Sequence, residues 1–265
     1  MRRALGLGIA VALLSSGCSA NTSASSLDQL EHVHSVETDG EQVFLASHHG
    51  LYTWTDESWR LVGEEFDVMG LTIDDGVFYA SGHPGPTQDL PNPLGILVSS
   101  DAGKTWTPES LTGEVDFHLL EAVGATRVGV AANFGAVVGS VDGGMTWSTL
   151  DIPSLTSMSL NPANGAEMLL VSEGLLYLST DAGSTFQQTN APLGILTVEW
   201  SDTSIFVASD SAVFRSSSTD GPFTALSESF TNVSNMAAHG TKVVVMDEEG
   251  IHVSDNGGES FTLLP

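Results

Sequence analysis

Short apolar runs, each stopped by a turn signal, recur along nearly the whole chain. Val43-Phe44-Leu45-Ala46-Ser47 is answered by Val77-Phe78-Tyr79-Ala80-Ser81 and by Ile205-Phe206-Val207-Ala208-Ser209. Gly50-Leu51-Tyr52 is answered by Gly95-Ile96-Leu97 and by Gly174-Leu175-Leu176-Tyr177. Runs this short, rich in β-branched and aromatic residues and bounded by Gly, Asp and Ser, predict strands. Beyond residue 18 no helical periodicity is sustained. The chain reads as all-β.

The turns carry a repeat of their own. Ser99-Ser100-Asp101-Ala102-Gly103-Lys104-Thr105-Trp106 recurs as Ser140 to Trp147 and as Ser179 to Phe186, with Asp142, Gly144, Asp181 and Gly183 in matching places. A fourth copy, Ser254 to Phe261, has Asn256 where the Asp belongs, and two eroded copies end at Trp59 and Phe223. The closing aromatics are therefore spaced by 47, 41, 39, 37 and 38 residues. About forty residues suffice for four short strands, one propeller blade, so six copies predict six blades. Their boundaries fall near 30–64, 65–111, 112–151, 152–189, 190–227 and 228–265. Both chain ends coincide with blade ends, so the usual closure, in which one terminus donates a strand to the other terminus's blade, is not evident in the sequence.

The motif S-x-D-x-G-x-T-[WF] resembles the Asp-box, or BNR repeat, of sialidases, sortilin-type receptors and photosystem II assembly-factor propellers. Its side chains fit a hairpin device: Ser and Asp bond turn backbone, Gly takes φ > 0, and the aromatic packs beside its sheet. Ser99, Asp101, Gly103, Trp106, Ser140, Asp142, Gly144, Trp147, Ser179, Asp181, Gly183 and Phe186 are accordingly expected to be structural. A second likeness lies in His32-Val33-His34, Ala46 to Leu51, Met69 to Thr72, Ser81 to Pro86, Asp89 to Gly95 and Asp116-Phe117-His118. These stretches are similar to exported actinobacterial and bacillar propellers labelled glycosyl hydrolase-like, a label that rests on fold and implies no proven activity.

The first seventeen residues differ in kind. Arg2 and Arg3 precede the apolar run Ala4 to Leu14, too short to span a bilayer, and Ser15-Ser16-Gly17-Cys18 follows. This predicts a lipoprotein signal peptide over 1–17, with Cys18 lipidated, a polar tether over 18–29 and the propeller over 30–265. The expected location is the outer side of the cell membrane, with the lipid as the membrane contact. Cys18 is the only cysteine, which leaves the domain without disulfides or thiol chemistry. Seven Lys+Arg stand against 33 Asp+Glu, a net charge of −26, which argues against nucleic acid as a partner.

In a propeller blade the innermost strand lines the central channel. It is expected to begin near His34, Met69, His118, Met158, Leu196 and Met236. His49 and His83 align in the turns between second and third strands, on the face opposite the Asp-boxes. His34, His49, Met69, His83 and His118 are thus candidates for a ligand or metal site, with His32, His48, Asp67 and Asp116 beside them. Imidazole suits zinc or copper, and thioether suits Cu(I); the same side chains could equally pack a narrow channel. A Pro-rich loop, 84–94, rises from the same face. A sialidase would need three arginines on that face, but Arg60, Arg127 and Arg215 map to outer strands. A generic glycosidase would need only two carboxylates, which Asp67, Asp89, Asp116, Glu173 and Asp247 to Glu249 could supply. The favoured expectation is a binding or accessory module for an unknown small ligand, glycan or protein; glycoside hydrolysis is the alternative.

Overall fold

The computed structural model describes residues 23–264 apart from 31 and 153; the leader and Cys18 lie outside the described residues. Six antiparallel sheets follow one another along the chain, each built from four consecutive strands in simple up-and-down order. The fold is a six-bladed β-propeller. The innermost strands are Val33–Thr38, Asp67–Asp74, Phe117–Val123, Ser157–Asn161, Thr197–Trp200 and Asn235–His239. Among the described residues the first and last blades meet without exchanging strands; Asn235 Oδ1 accepts the Val36 N–H at 3.2 Å across that seam.

Blade 1 has a fifth strand. Ser23–Ala24 pairs antiparallel with the outermost strand, Ser58–Val62, setting Ala24 opposite Trp59. Leu27–Gln29 follows as a 3₁₀ turn, and Leu27 and Leu30 pack beside Ala24 and Trp59. The folded unit thus begins ahead of the expected boundary at residue 30. The tether expected over 18–29 is corrected in its second half, because Ala24 and Leu27 give that segment apolar ground to bury.

Apolar side chains of each sheet face the next blade, so the core divides into six clusters, one at each junction. The aromatics that close the repeats lie in them: Trp59, Trp106, Trp147, Phe186, Phe223 and Phe261 each join a different cluster. The Asp-boxes show how one device is reused. Ser99 Oγ donates to Asp101 Oδ1 at 2.8 Å and accepts the Gly103 N–H at 2.9 Å. Asp101 in turn accepts the Thr105 N–H and hydroxyl at 2.9 and 2.7 Å. The copies at Ser140 to Trp147 and Ser179 to Phe186 repeat every one of these bonds. In the fourth copy Asn256 Oδ1 accepts from Ser254 and from the Ser260 N–H, so the amide replaces the carboxylate.

Candidate functional site

The three innermost strands of blades 1 to 3 share an irregularity at their mouth end. Val33 pairs with Ser47 and Ser35 with Ala46, leaving His34 as the extra residue of a bulge. Val68 pairs with Gly82 and Gly70 with Ser81, which isolates Met69. Phe117 pairs with Ala131 and Leu119 with Val130, which isolates His118. A bulge residue leaves the ladder and is re-aimed. In blades 4 to 6 the register at this end is unbroken, and Met158 and Met236 are buried in the junction cores. The expected column of six equivalent positions therefore holds only for blades 1 to 3.

Around these bulges the structure assembles two His–Asp–His groups, each bridging neighbouring blades. In the first, His48 Nδ1 lies 2.9 Å from Asp67 Oδ2, and His34 Nε2 lies 3.3 Å from Asp67 Oδ1 and 3.4 Å from His48 Nδ1. These ligand-capable atoms all fall within 4.8 Å of one another, and His34, His48 and Asp67 form the one such group among the described residues. The Asp67 Oδ1 atom is buried and makes no hydrogen bond. Burial pushes the His34 imidazole below its ordinary value, and the Asp67 carboxylate opposes that shift. His32 packs its ring edge-on against His48 at 5.0 Å.

In the second group, Asp116 Oδ2 receives His118 Nε2 at 3.0 Å and His83 Nε2 at 3.6 Å. The other His83 nitrogen, Nδ1, is 2.7 Å from Asn92 Oδ1, which ties the Pro-rich loop to the mouth. Gln88 anchors the same loop by accepting the Gly85 N–H and donating to Glu64. Gly82 is required here: a Cβ would lie 1.8 Å from the Asp67 carbonyl oxygen, so only glycine lets the two strands approach this closely.

The five primary candidates thus do not converge on one point. His49 turns away from His34 and sits 3.1 Å from Glu65 Oε1, while its neighbour His48 joins His34 instead. A two-residue turn sends successive side chains to different sides, and the repeat alignment could not choose between them. His83 and His118 share the second carboxylate. Met69 is half-buried at its bulge. The three arginines lie off the mouth: buried Arg127 pairs with Glu109 and stacks over Tyr79, Arg60 approaches Asp56, and Arg215 donates to the Gly257 carbonyl.

One feature of the channel escaped the sequence. Glu37, Glu121 and Glu199, from blades 1, 3 and 5, line the waist between an upper cavity bordered by His118 and a lower one of about 850 Å³ bordered by Asp202 and His239. Enclosure pushes all three carboxyls up, and Glu121 reaches about 8. Each keeps some contact with channel solvent, which moderates the effect. The available signal was positional: each glutamate stands three residues after a member of the strand column, His34, His118 or Leu196.

No protein-family model matches the chain. The photosystem II assembly lipoprotein Ycf48 of Synechococcus sp. (strain CC9902) is 23% identical over 233 residues, which span 80% of this chain and 66% of that protein. Among solved structures, YCF48 bound to D1 peptide superposes with a TM-score of 0.53 at 15% identity, over 88% of this chain and 81% of that one. The GH74 xyloglucanase of Xanthomonas campestris superposes with a TM-score of 0.60 at 18% identity, over 89% of this chain and 38% of that one. The likeness is one of fold, and it matches the Asp-box propeller resemblance carried by the repeats. Among the described residues no helix is long and apolar enough to cross a membrane.

Proposed function

We propose that the chain is an exported, lipid-anchored accessory module that holds a basic peptide segment of a protein partner at the mouth of blades 1 to 3. The observation that carries this reading is the gathering of His34, His48, His83 and His118 around Asp67 and Asp116 on one face. Carboxylates that keep a free or weakly used oxygen suit cationic side chains, and a chain of net charge −26 draws such partners in. Exposed Leu90 on the Pro-rich loop and exposed Phe134 in the blade 3 turn supply apolar contact at the rim. A propeller relative in complex with a peptide, and another named as an assembly lipoprotein, support both the ligand class and the accessory role. The Gly17-Cys18 junction supports the lipid anchor.

Peptide arrays of graded charge, probed with the full chain, test this reading. Basic sequences should be selected, and Asp67→Asn combined with Asp116→Asn should abolish the selection. Selection that survives this pair but is lost with Asp75→Asn and Asp202→Asn would place the site on the opposite face and overturn it.

A second reading, glycoside hydrolysis, is favoured by Glu121, whose carboxyl near 8 stays protonated at neutral pH as a general acid must. It ranks lower because the same enclosure pushes the Glu37 and Glu199 carboxyls up as well, which disfavours the ionised partner that the acid needs. Hydrolysis of xyloglucan that disappears in Glu121→Gln would reverse the ranking.

A further inference from the structure

We propose that His34 Nε2, His48 Nδ1 and the Asp67 carboxylate bind one divalent transition-metal ion, zinc in preference, with a coordination position left open toward the mouth. The inference rests on the reading of this mouth as the working face: with the ion bound, Asp67 serves the metal and Asp116, whose Oδ1 is also without a hydrogen bond, remains the carboxylate for cationic side chains.

Zinc bonds of roughly 2.0–2.1 Å directed to the corners of a tetrahedron place neighbouring ligand atoms about 3.3–3.4 Å apart. Two of the distances observed here match that spacing: 3.4 Å between the imidazole nitrogens and 3.3 Å from His34 Nε2 to Asp67 Oδ1. The 2.9 Å contact of His48 Nδ1 reaches the other carboxylate oxygen, Oδ2, at the length of a charge-assisted hydrogen bond, and one ligand atom from each of the three residues lies within 4.8 Å of the other two. Protons serve this arrangement poorly. Asp67 Oδ1 is buried and makes no hydrogen bond although His34 Nε2 faces it at 3.3 Å. A cation at the centre satisfies that oxygen and both nitrogens together.

The donor set narrows the ion. Two imidazoles and one carboxylate suit zinc and its divalent neighbours, and three protein ligands with an open fourth position are usual where zinc acts on a ligand. Copper(I), which prefers soft sulfur donors, is less well served by a group that offers two imidazole nitrogens and a carboxylate. The open position follows from exposure: the His48 side chain is 41% exposed, whereas those of His34 and Asp67 are 19% exposed. Local structure explains why the three meet. The bulge re-aims His34, the hairpin turn presents His48, and blade 2 brings Asp67 from the first residue of its innermost strand. Because the ligands come from two blades, the ion also staples their junction.

The test uses the full chain, stripped with a chelator and titrated with zinc alone by calorimetry. One ion should bind per chain, and zinc should raise Tm. Asp67→Asn, which keeps the size and removes the charge, and His48→Ala should each weaken binding by about 100-fold or more and suppress the rise in Tm. Met69→Leu and His239→Ala should leave affinity unchanged. Absence of one-to-one binding in the wild-type chain overturns the site, as does binding retained in the combined Asp67→Asn, His48→Ala variant; loss on Met69→Leu overturns the ligand set. Should Asp67→Asn fold poorly, His48→Ala carries the test, since that residue is exposed in a turn. No partner is present in this experiment, so loss of the metal reading leaves selection of basic peptides standing, and the reverse.

Discussion

Blades 1 to 3 and blades 4 to 6 share strand order, Asp-boxes and junction cores, yet they treat the channel mouth differently. In the first half each innermost strand carries one extra residue, His34, Met69 or His118, and the bulge releases it from the ladder. In the second half the ladder runs on, and the corresponding Met158 and Met236 are buried between sheets. One inserted residue per strand, costing little in a scaffold stabilised elsewhere, separates a core position from a site position. The division of labour is thus written in register more than in composition.

The strongest way to break the comparison is at the junctions. Buried Arg127 joins blades 2 and 3 through Glu109, two backbone carbonyls and the Tyr79 ring. Arg215, exposed, joins blades 5 and 6 through one bond to the Gly257 carbonyl. Arg127→Ala strands Glu109 and should cost about 3–5 kcal/mol, whereas Arg215→Ala should cost about 1 kcal/mol; chemical denaturation reads both. The strand column sharpens the contrast. Met158→Ala opens a cavity and should cost about 2–5 kcal/mol, while Met69→Ala, half-buried at the mouth, should cost about 1 kcal/mol or less. Equal costs at the two methionines would erase the distinction between the halves.

Much of this was legible in the chain. Spacing of the aromatics from Trp59 to Phe261 fixed the blade count, because each aromatic enters one junction core, that with the preceding blade, once per blade. The Asp-box roles followed from side-chain reach alone. The bulges were not legible, since a single extra residue inside a strand leaves the apolar pattern almost unchanged. For that reason Met158 looks equivalent to Met69; His48 and His49 are indistinguishable for another, since neighbours in a two-residue turn point to different sides. Asp67 and Asp116 were visible as neighbours of the column but not as its hubs, because each answers two histidines that are distant in sequence, His34 and His48 or His83 and His118. The Glu37, Glu121 and Glu199 set was hidden by the general acidity of the chain, against which three more carboxylates carry no signal.

Two smaller effects concern pH. Asp101 and Asp142 are held down to about 2 by the Thr105 and Thr146 bonds, against an ordinary 3.8. Their contribution is complete above the ordinary value and is lost as pH falls toward about 2. Asp101→Ala should lower Tm at neutral pH, flatten that acid loss and leave peptide selection intact. At the waist the sign reverses. Glu121 binds its proton more tightly folded, near 8, than its ordinary 4.5, so its contribution declines as pH rises between those values. Glu121→Gln should flatten the decline of Tm across that window; an unchanged slope would mean that the channel leaves this carboxyl solvated.

The difference between the halves is tested most directly by a photo-crosslinking residue at Leu90 or, in a separate protein, at Leu193. Leu193 is 76% exposed and Leu90 47%; Leu90 lies on the Pro-rich loop that Asn92 ties to His83, among the bulged blades, and Leu193 lies between blades 4 and 5. Irradiated in the intact cell envelope, the Leu90 protein should give a discrete crosslinked partner that Asp67→Asn with Asp116→Asn removes, and the more exposed Leu193 protein should give none. A partner captured equally from Leu193, or one indifferent to the loss of Asp67 and Asp116, would contradict the assignment of binding to blades 1 to 3.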